Sequence, residues 1–211
     1  MEEKKSSKVK EIIDTLLKKL NSILPKIRNE NNETKRYLYL LAWLNKELEE
    51  RDLGKIIITG GFAVEIYTGR IYRTMDVDLI IEGPQGAVII EEILKRLGER
   101  IARGYLLREE SLIFKSIDVV SCTYGRSLEP IKLEVNGLWL YLDPPEELIT
   151  IYLAGWKFWG STEDRDKALW LLVAMEKILN IDILKKLAKQ RSVEDKLQEL
   201  LDLLKKHTLR S

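Results

Sequence analysis

The stretch from Gly60 to Ile81, GGFAVEIYTGRIYRTMDVDLII, decides the fold of this chain. It follows KIIIT at residues 55–59, a β-branched run that leads into a glycine pair. This pattern predicts a strand that turns at once into a short helix over 62–67. The end of the stretch, MDVDLII at residues 75–81, alternates charged and apolar residues and then becomes wholly apolar. It predicts a second strand that enters a hydrophobic core.

Three aspartates are the main candidates for chemistry. Asp76 and Asp78 lie two residues apart on the second predicted strand, so their side chains share one face. Two carboxylates so close repel each other unless a cation neutralises them, and their hard oxygen atoms suit Mg²⁺ or Mn²⁺. Asp118 lies in the apolar run IDVVSC, where a carboxylate needs a partner, a cap or a metal ion.

Glycines and arginines next to these strands are candidates for phosphate binding. Gly60 and Gly61 follow a strand and open a helix, where free N–H groups attract anions. Arg70 and Arg73 lie on the connection to the aspartate strand, where guanidinium groups can hold phosphate oxygens. Taken singly, these features also fit a turn, a solvated strand edge or a surface ion pair. Their order and spacing together favour phosphoryl or nucleotidyl transfer.

The amino-acid composition excludes several classes of site and partner. The 211 residues include 35 Lys and Arg against 34 Asp and Glu, so no overall charge draws the chain to nucleic acid or membrane. One cysteine and one histidine exclude an internal disulfide, a cysteine-rich zinc site and a Ser-His-Asp triad. The chain shows no signal peptide and no membrane span, so we expect a cytoplasmic protein without a membrane partner. The abundance of Lys, Glu, Ile and Leu is typical of a thermophilic source.

The rest of the chain predicts a small mixed sheet between helical ends. Helical periodicity covers the first fifty residues, and Pro25 is expected to end or interrupt the first helix. The core adds a helix over 84–97, two or three strands within 101–123, one of them at Leu112–Phe114, and a hairpin at Asn136-Gly137. The prediction is an α/β (α+β) chain with an N-terminal helical arm, a mixed-sheet core and a C-terminal helical region packed on it, at residues 1–52, 53–143 and 144–211.

One family shares this order of residues. Gly60-Gly61, Arg70, Thr74, Asp76-x-Asp78 and the later Asp118 resemble the DNA polymerase β-like nucleotidyltransferase superfamily. The match covers residues 55–122 and is most similar to the minimal archaeal and bacterial branch. That branch includes the nucleotidyltransferase partners of toxin–antitoxin pairs. Further matches follow at Pro145–Leu148, Lys157 and Arg165–Lys167.

The resemblance implies a role for each matched residue. Asp76, Asp78 and Asp118 would be catalytic and would ligate Mg²⁺ or Mn²⁺ together with the triphosphate of an NTP substrate. Asp118 would act on the acceptor hydroxyl group. With Arg73, which is a candidate through its position before the aspartate strand, the predicted nucleotide-binding residues are Gly60, Gly61, Arg70, Arg73, Thr74 and Lys157. Many members carry Gly-Ser where this chain has Gly60-Gly61, so one phosphate-loop hydroxyl group is missing here.

Two functions stay open at this point. The first is an active nucleotidyltransferase that moves an NMP group to tRNA, a protein hydroxyl group or a small molecule. The second is a non-catalytic protein of the same fold that binds a partner protein or RNA. The three carboxylates favour the enzyme, since a binding module does not need them. A homodimer is compatible with the sequence.

Overall fold

The structure is a computed structural model that describes the backbone of residues 2–208 and the side chains of residues 7–206. In this part of the chain the helices are α1 (Glu2–Asn29), α2 (Glu33–Glu49), α3 (Gly60–Tyr67), α4 (Pro84–Leu97), α5 (Pro145–Trp159), α6 (Thr162–Ala174), α7 (Ile181–Gln190) and α8 (Glu194–Thr208). The strands are β1 (Lys55–Thr59), β2 (Asp76–Glu82), β3 (Gly98–Ile101), β4 (Gly104–Leu107), β5 (Ser116–Ser121), β6 (Ile131–Val135) and β7 (Leu138–Leu142). The mixed α/β class predicted from the sequence is confirmed.

All of these strands join one sheet in the order β3-β4-β5-β2-β1-β7-β6. β1 runs antiparallel to β2 and parallel to β7, and β2 runs parallel to β5. Each side of the sheet ends in an antiparallel hairpin, β3–β4 or β6–β7. The interior strand β1 is fully buried along Ile56–Ile58. Burial on both faces explains why its sequence is a continuous apolar run and does not alternate.

The chain divides into two compact units. The first consists of Met1–Phe62, Thr74–Gly125 and Pro130–Leu142, and it holds the sheet with α1, α2 and α4. The second consists of Ala63–Arg73, Arg126–Glu129 and Asp143–Ser211, and it holds α5 to α8. The limits 1–52, 53–143 and 144–211 proposed from the sequence remain a prediction.

Polar side chains of α2 form hydrogen bonds with strands β1 and β7 of the first unit. Asn45 is fully buried; its Oδ1 accepts the N–H of Ile56 at 2.7 Å and its Nδ2 donates to the carbonyl of Trp139 at 2.9 Å. One turn later the Glu49 carboxylate accepts the indole N–H of Trp139 at 2.6 Å and the hydroxyl group of Tyr141 at 2.8 Å. The helix thereby holds β1 and β7 side by side, because each polar group meets a partner inside the core.

Two local predictions are wrong. Helix α1 runs through Pro25 to Asn29, because Ile23 and Ile27 on either side of the proline are buried and hold the helix in place. Leu112–Phe114 is no strand, since a 3₁₀ turn covers Glu110–Leu112. The backbone there is satisfied by Tyr37, whose hydroxyl group donates to the carbonyl of Leu112 at 2.6 Å. Burial raises the pKa of Tyr37, which keeps this donor protonated.

The hairpin and the C-terminal helices follow the sequence prediction. Asn136 and Gly137 have φ values of +51° and +77°, the left-handed pair that a tight two-residue hairpin requires. In the second unit the fully buried Glu147 accepts the N–H groups of Ser127 and Leu128 at 2.8 and 3.0 Å and pairs with Arg191. Glu147, part of the matched Pro145–Leu148 segment, therefore has a structural task. No helix among residues 2–208 combines the length and the apolar character needed to cross a bilayer.

Candidate functional site

The junction between β1 and α3 depends on a glycine. Gly60 starts α3 with a φ of +62°, a conformation that L side chains rarely adopt. A Cβ atom at this position would lie 2.1 Å from Oδ2 of Asp78 on the neighbouring strand β2. Gly60 therefore lets the Asp78 carboxylate approach the start of a helix, where backbone N–H groups lack intrahelical partners. Gly61 is buried in the same turn. Phosphate binding by both glycines remains a prediction.

The pairing of β2 with β5 brings the three aspartates to one face of the sheet. Asp78 is the aligned neighbour of Asp118 in these parallel strands, whose backbones lie about 4.8 Å apart. Asp76, two residues earlier on β2, points to the same side. Val77 and Ile117 point to the other side and are fully buried. Asp76 is exposed, and Asp78 and Asp118 are half-buried, so solvent reaches this face.

The first aspartate is held by its neighbours. The Asp76 carboxylate accepts a hydrogen bond from the hydroxyl group of Ser116 at 2.5 Å, across the β2–β5 pair. Its backbone N–H donates to Oγ1 of Thr74 at 3.3 Å. Thr74, a predicted nucleotide-binding residue, thus shapes the entry of the chain into β2. Ser116 carried no sequence signal, because its role follows only from the register of two distant strands.

A buried lysine supports this entry segment. Lys115 is 1% exposed, and its Nζ lies 3.2 Å from Oε1 of Glu33 and donates to the carbonyl oxygen of Thr74. The same ammonium group lies 5.5 Å from the ring centroid of Phe62 in α3. Lys115 therefore joins α2, the start of α3 and the loop that leads to Asp76. Lys115 was not among the residues predicted from the sequence, although a lysine inside the apolar run LIFKSIDVV is a detectable signal, since a buried ammonium needs partners.

The aspartate face suits a divalent ion in its chemistry. Carboxylate oxygens are the ligands that Mg²⁺ and Mn²⁺ prefer, and three carboxylates on adjacent strand positions supply them. Among residues 7–206, however, no three His, Cys, Asp or Glu side chains converge closely enough to hold a metal ion. One Asp76 oxygen accepts from Ser116, and Asp78 lies against Gly60. The side chains of the three aspartates would have to rotate before they could share an ion.

The other predicted nucleotide-binding residues belong to the second unit. Arg70 has a left-handed φ of +73° just beyond α3. Nε of Arg73 lies 3.9 Å from Oε1 of Glu65, which is fully buried. Nζ of Lys157 donates to Asp195 at 2.6 Å, and this hydrogen bond lowers the pKa of Asp195. Arg73 and Lys157 thus each lie near a carboxylate of the second unit. Nucleotide binding by Arg70, Arg73 and Lys157 remains a prediction.

The matched segment Arg165–Lys167 lies on α6 of the same unit. Arg165 pairs with the adjacent Asp166 at 2.8 Å. Nζ of Lys167 lies 2.8 Å from Glu163 and 5.3 Å from the ring centroid of Tyr152. Burial lowers the pKa of Lys167, but the hydrogen bond to Glu163 and nearby charges outweigh it, and the net pKa is raised. Lys167 therefore carries its positive charge at neutral pH.

Comparison with known proteins finds solved structures that are similar to this fold. No family model matches the chain, and no curated protein does. The crystal structure of an antigenic nucleotidyltransferase-like protein from Paracoccidioides brasiliensis is similar, at 18% identity and a TM-score of 0.51 over 82% of this chain and 93% of that chain. A solution structure of the antibiotic-resistance factor ANT(2″)-Ia has 15% identity and a TM-score of 0.45, and it covers 83% of this chain and 98% of its own.

A crystal structure of ANT(2″)-Ia in complex with adenylyl-2″-tobramycin has 17% identity and a TM-score of 0.48 over 74% of this chain and 97% of its own. The likeness to the Paracoccidioides protein, with its TM-score of 0.51, establishes the fold alone. The chain has a nucleotidyltransferase fold, as the resemblance in its sequence implied.

Proposed function

We propose that the chain is an enzyme that transfers a nucleoside monophosphate group from an NTP to an acceptor hydroxyl group. The observation that carries this proposal is the alignment of Asp78 with Asp118 in adjacent parallel strands, with Asp76 on the same face. The contact between Gly60 and the Asp78 carboxylate supports it, because it sets the carboxylate beside a helix start that can receive phosphates. The nucleotidyltransferase fold supports it as well.

Each residue of the aspartate face has a task in this proposal. Asp76 and Asp78 would hold Mg²⁺ or Mn²⁺, and the ion would supply positive charge to neutralise the triphosphate. Asp118 would take the proton of the acceptor hydroxyl group. The acceptor oxygen atom then bonds to the α-phosphorus of the NTP, the bond from that phosphorus to the β-phosphate oxygen breaks, and pyrophosphate leaves. Gly60 and Gly61 let the phosphates approach the backbone. Lys115 and Thr74 position Asp76 through the loop that leads into β2.

The test is transfer of a labelled nucleotide. The purified protein is incubated with each α-³²P-labelled NTP and Mg²⁺ or Mn²⁺, in the presence of total tRNA or of lysate proteins and metabolites. We expect label in one acceptor fraction, and loss of that label with Asp78→Asn. Asp52→Asn, at an exposed aspartate outside the aspartate face, is the matched control and should transfer normally. Equal transfer by Asp78→Asn and Asp52→Asn would contradict the proposal.

A non-catalytic protein of this fold is the second candidate function. The observation that favours it is the lack of a convergent carboxylate cluster among the described side chains. In that case calorimetry should detect no Mg²⁺ or Mn²⁺ binding that depends on Asp76 and Asp78, and no NTP should yield labelled product. The chain would then act by binding a partner protein or RNA through a surface outside the aspartates.

A further inference from the structure

The three aspartates share their face of the sheet with a serine. β2 and β5 run parallel, with Asp76 aligned to Ser116 and Asp78 aligned to Asp118. Side chains two residues apart on a strand point to the same side, so these four residues lie at the corners of a rectangle on that face. Three corners carry carboxylates, and the fourth carries the Ser116 hydroxyl group. Any ion shared by the carboxylates would therefore have this hydroxyl group beside it.

Ser116 is held in place through its own backbone and through its neighbour. Its N–H donates to the carbonyl oxygen of Met75 at 2.9 Å. The preceding residue, the buried Lys115, donates from Nζ to the carbonyl oxygen of Thr74. Consecutive residues at the start of β5 thus hold consecutive residues at the entry to β2. The Ser116 side chain extends this series to the carboxylate of Asp76.

The packing of β4 leaves room for the Ser116 hydroxyl group. Ser116 is buried, with 7% of its surface exposed. A Cβ atom on Gly104 of β4 would lie 3.3 Å from Oγ of Ser116, which is closer than most real Cβ contacts. A buried hydroxyl group needs a hydrogen-bond partner. Within residues 7–206, the acceptor for this hydroxyl group is the Asp76 carboxylate.

This hydrogen bond makes the two oxygen atoms of the Asp76 carboxylate different. Oδ1 accepts the hydroxyl group of Ser116 at 2.5 Å, and a hydrogen bond to a charged acceptor is stronger than one between neutral groups. Oδ2 accepts from no group in the part of the chain whose side chains are described, and Asp76 is exposed. A carboxylate held through one oxygen atom and open at the other is typical of a metal ligand with a supporting hydrogen bond.

We propose that Ser116 is a positioning residue whose hydroxyl group orients the Asp76 carboxylate for a divalent ion. The inference rests on the proposed function, in which Asp76 and Asp78 would hold Mg²⁺ or Mn²⁺. Because Ser116 lies across from Asp76, the hydrogen bond draws the carboxylate toward β5, the strand that carries Asp118. Any rotation that brings Asp76 to a shared ion is limited to positions within reach of Ser116. A carboxylate with fewer orientations to lose binds an ion at a smaller entropic cost.

The first experiment measures binding of Mn²⁺ alone, without nucleotide. The electron paramagnetic resonance signal of the free ion gives the dissociation constant of the protein. Ser116→Ala should weaken Mn²⁺ binding about tenfold, as expected for loss of a group that supports a metal ligand. Ser116→Thr keeps a hydroxyl group and should bind within about twofold of wild type. Ser121→Ala is the matched control in the same strand and should bind as wild type, because the Ser121 hydroxyl group donates to the carbonyl oxygen of Thr123.

A double-mutant cycle separates positioning from a general effect on the structure. In an Asp76→Ala background, Ser116→Ala should leave the residual Mn²⁺ binding unchanged, because the group that the serine orients is gone. An equal loss in that background would overturn the proposal, since Ser116 would then act through the fold as a whole. Equal or tighter Mn²⁺ binding by Ser116→Ala alone would overturn it too, because the hydrogen bond would then be neutral or would compete with the ion.

The results also separate this inference from the proposed enzyme. Mn²⁺ binding that depends on Ser116, with no nucleotidyl transfer from any NTP, would leave the positioning role standing and refute the transferase. Transfer that requires Asp76, with Mn²⁺ binding and transfer unchanged in Ser116→Ala, would refute the positioning role alone. Absence of Mn²⁺ binding that depends on Asp76 would overturn the positioning role together with the metal site.

Discussion

Replacement of Gly60 by alanine tests the contact on which the aspartate face depends. Alanine at a φ of +62° costs about 1–2 kcal/mol, because its Cβ crowds the carbonyl oxygen in the left-handed conformation. The same Cβ would lie 2.1 Å from Oδ2 of Asp78, far inside the 3.0 Å that real Cβ atoms keep. Such overpacking costs about 1–3 kcal/mol more. We expect Gly60→Ala to lose about 2–5 kcal/mol of unfolding free energy.

Gly137 provides the matched control in the same unit. Its φ is +77°, but a Cβ atom there would meet nothing within 4 Å. Gly137→Ala should therefore cost only the backbone part, about 1–2 kcal/mol. Urea unfolding followed by circular dichroism gives both values. In an Asp78→Ala background the cost of Gly60→Ala should fall to that of Gly137→Ala, because the clashing carboxylate is gone. An unchanged cost in that background would refute the contact.

Three other substitutions test separate parts of the structure. Asp118→Asn should leave NTP binding within a small factor and reduce transfer about 10²–10⁴-fold in a single-turnover assay, whereas undiminished transfer would remove Asp118 from the chemistry. Lys115→Met should cost about 2–4 kcal/mol in urea unfolding, because the Thr74 carbonyl and a carboxylate lose their buried partner; a neutral effect would show that the ammonium is dispensable. The hydrogen bond from Arg28 lowers the pKa of Glu109 below its ordinary value of 4.5. The pair therefore stabilises the folded state above pH 4.5, and this stabilisation is lost as the pH falls through the lowered pKa. Glu109→Gln should thus be less stable than wild type at pH 7, with a gap that closes in acid, and a gap independent of pH would contradict this origin.

Local sequence patterns predicted most elements of the fold. The run KIIIT, the amphipathic stretch at 84–97 and the Asn136-Gly137 turn each specify their structure from within a few residues, and all three are confirmed. The predictions at Pro25 and at Leu112–Phe114 were wrong because tertiary packing decides both segments. Burial of Ile23 and Ile27 holds the helix around the proline, and the distant Tyr37 satisfies the backbone of the turn.

The candidate site was predictable only in part. The spacing of Asp76 and Asp78 predicts that both side chains lie on one face of the strand. The alignment of Asp78 with Asp118, however, depends on the register of two strands that are forty residues apart in the sequence. The closeness of Gly60 to Asp78 and the burial of Lys115 are likewise consequences of tertiary packing.

The position of β1 between β2 and β7 also determines the order in which the sheet can be completed during synthesis. The segment between Thr59 and β7 is about eighty residues long, so the ribosome needs roughly 4–16 seconds to supply the second neighbour of this strand. During that interval the apolar residues Ile56–Ile58 present an open strand edge to other nascent chains. Asn45 is synthesised before β1, and its side chain accepts the N–H of Ile56. An asparagine in the preceding helix can therefore cover part of that edge before β7 has left the ribosome.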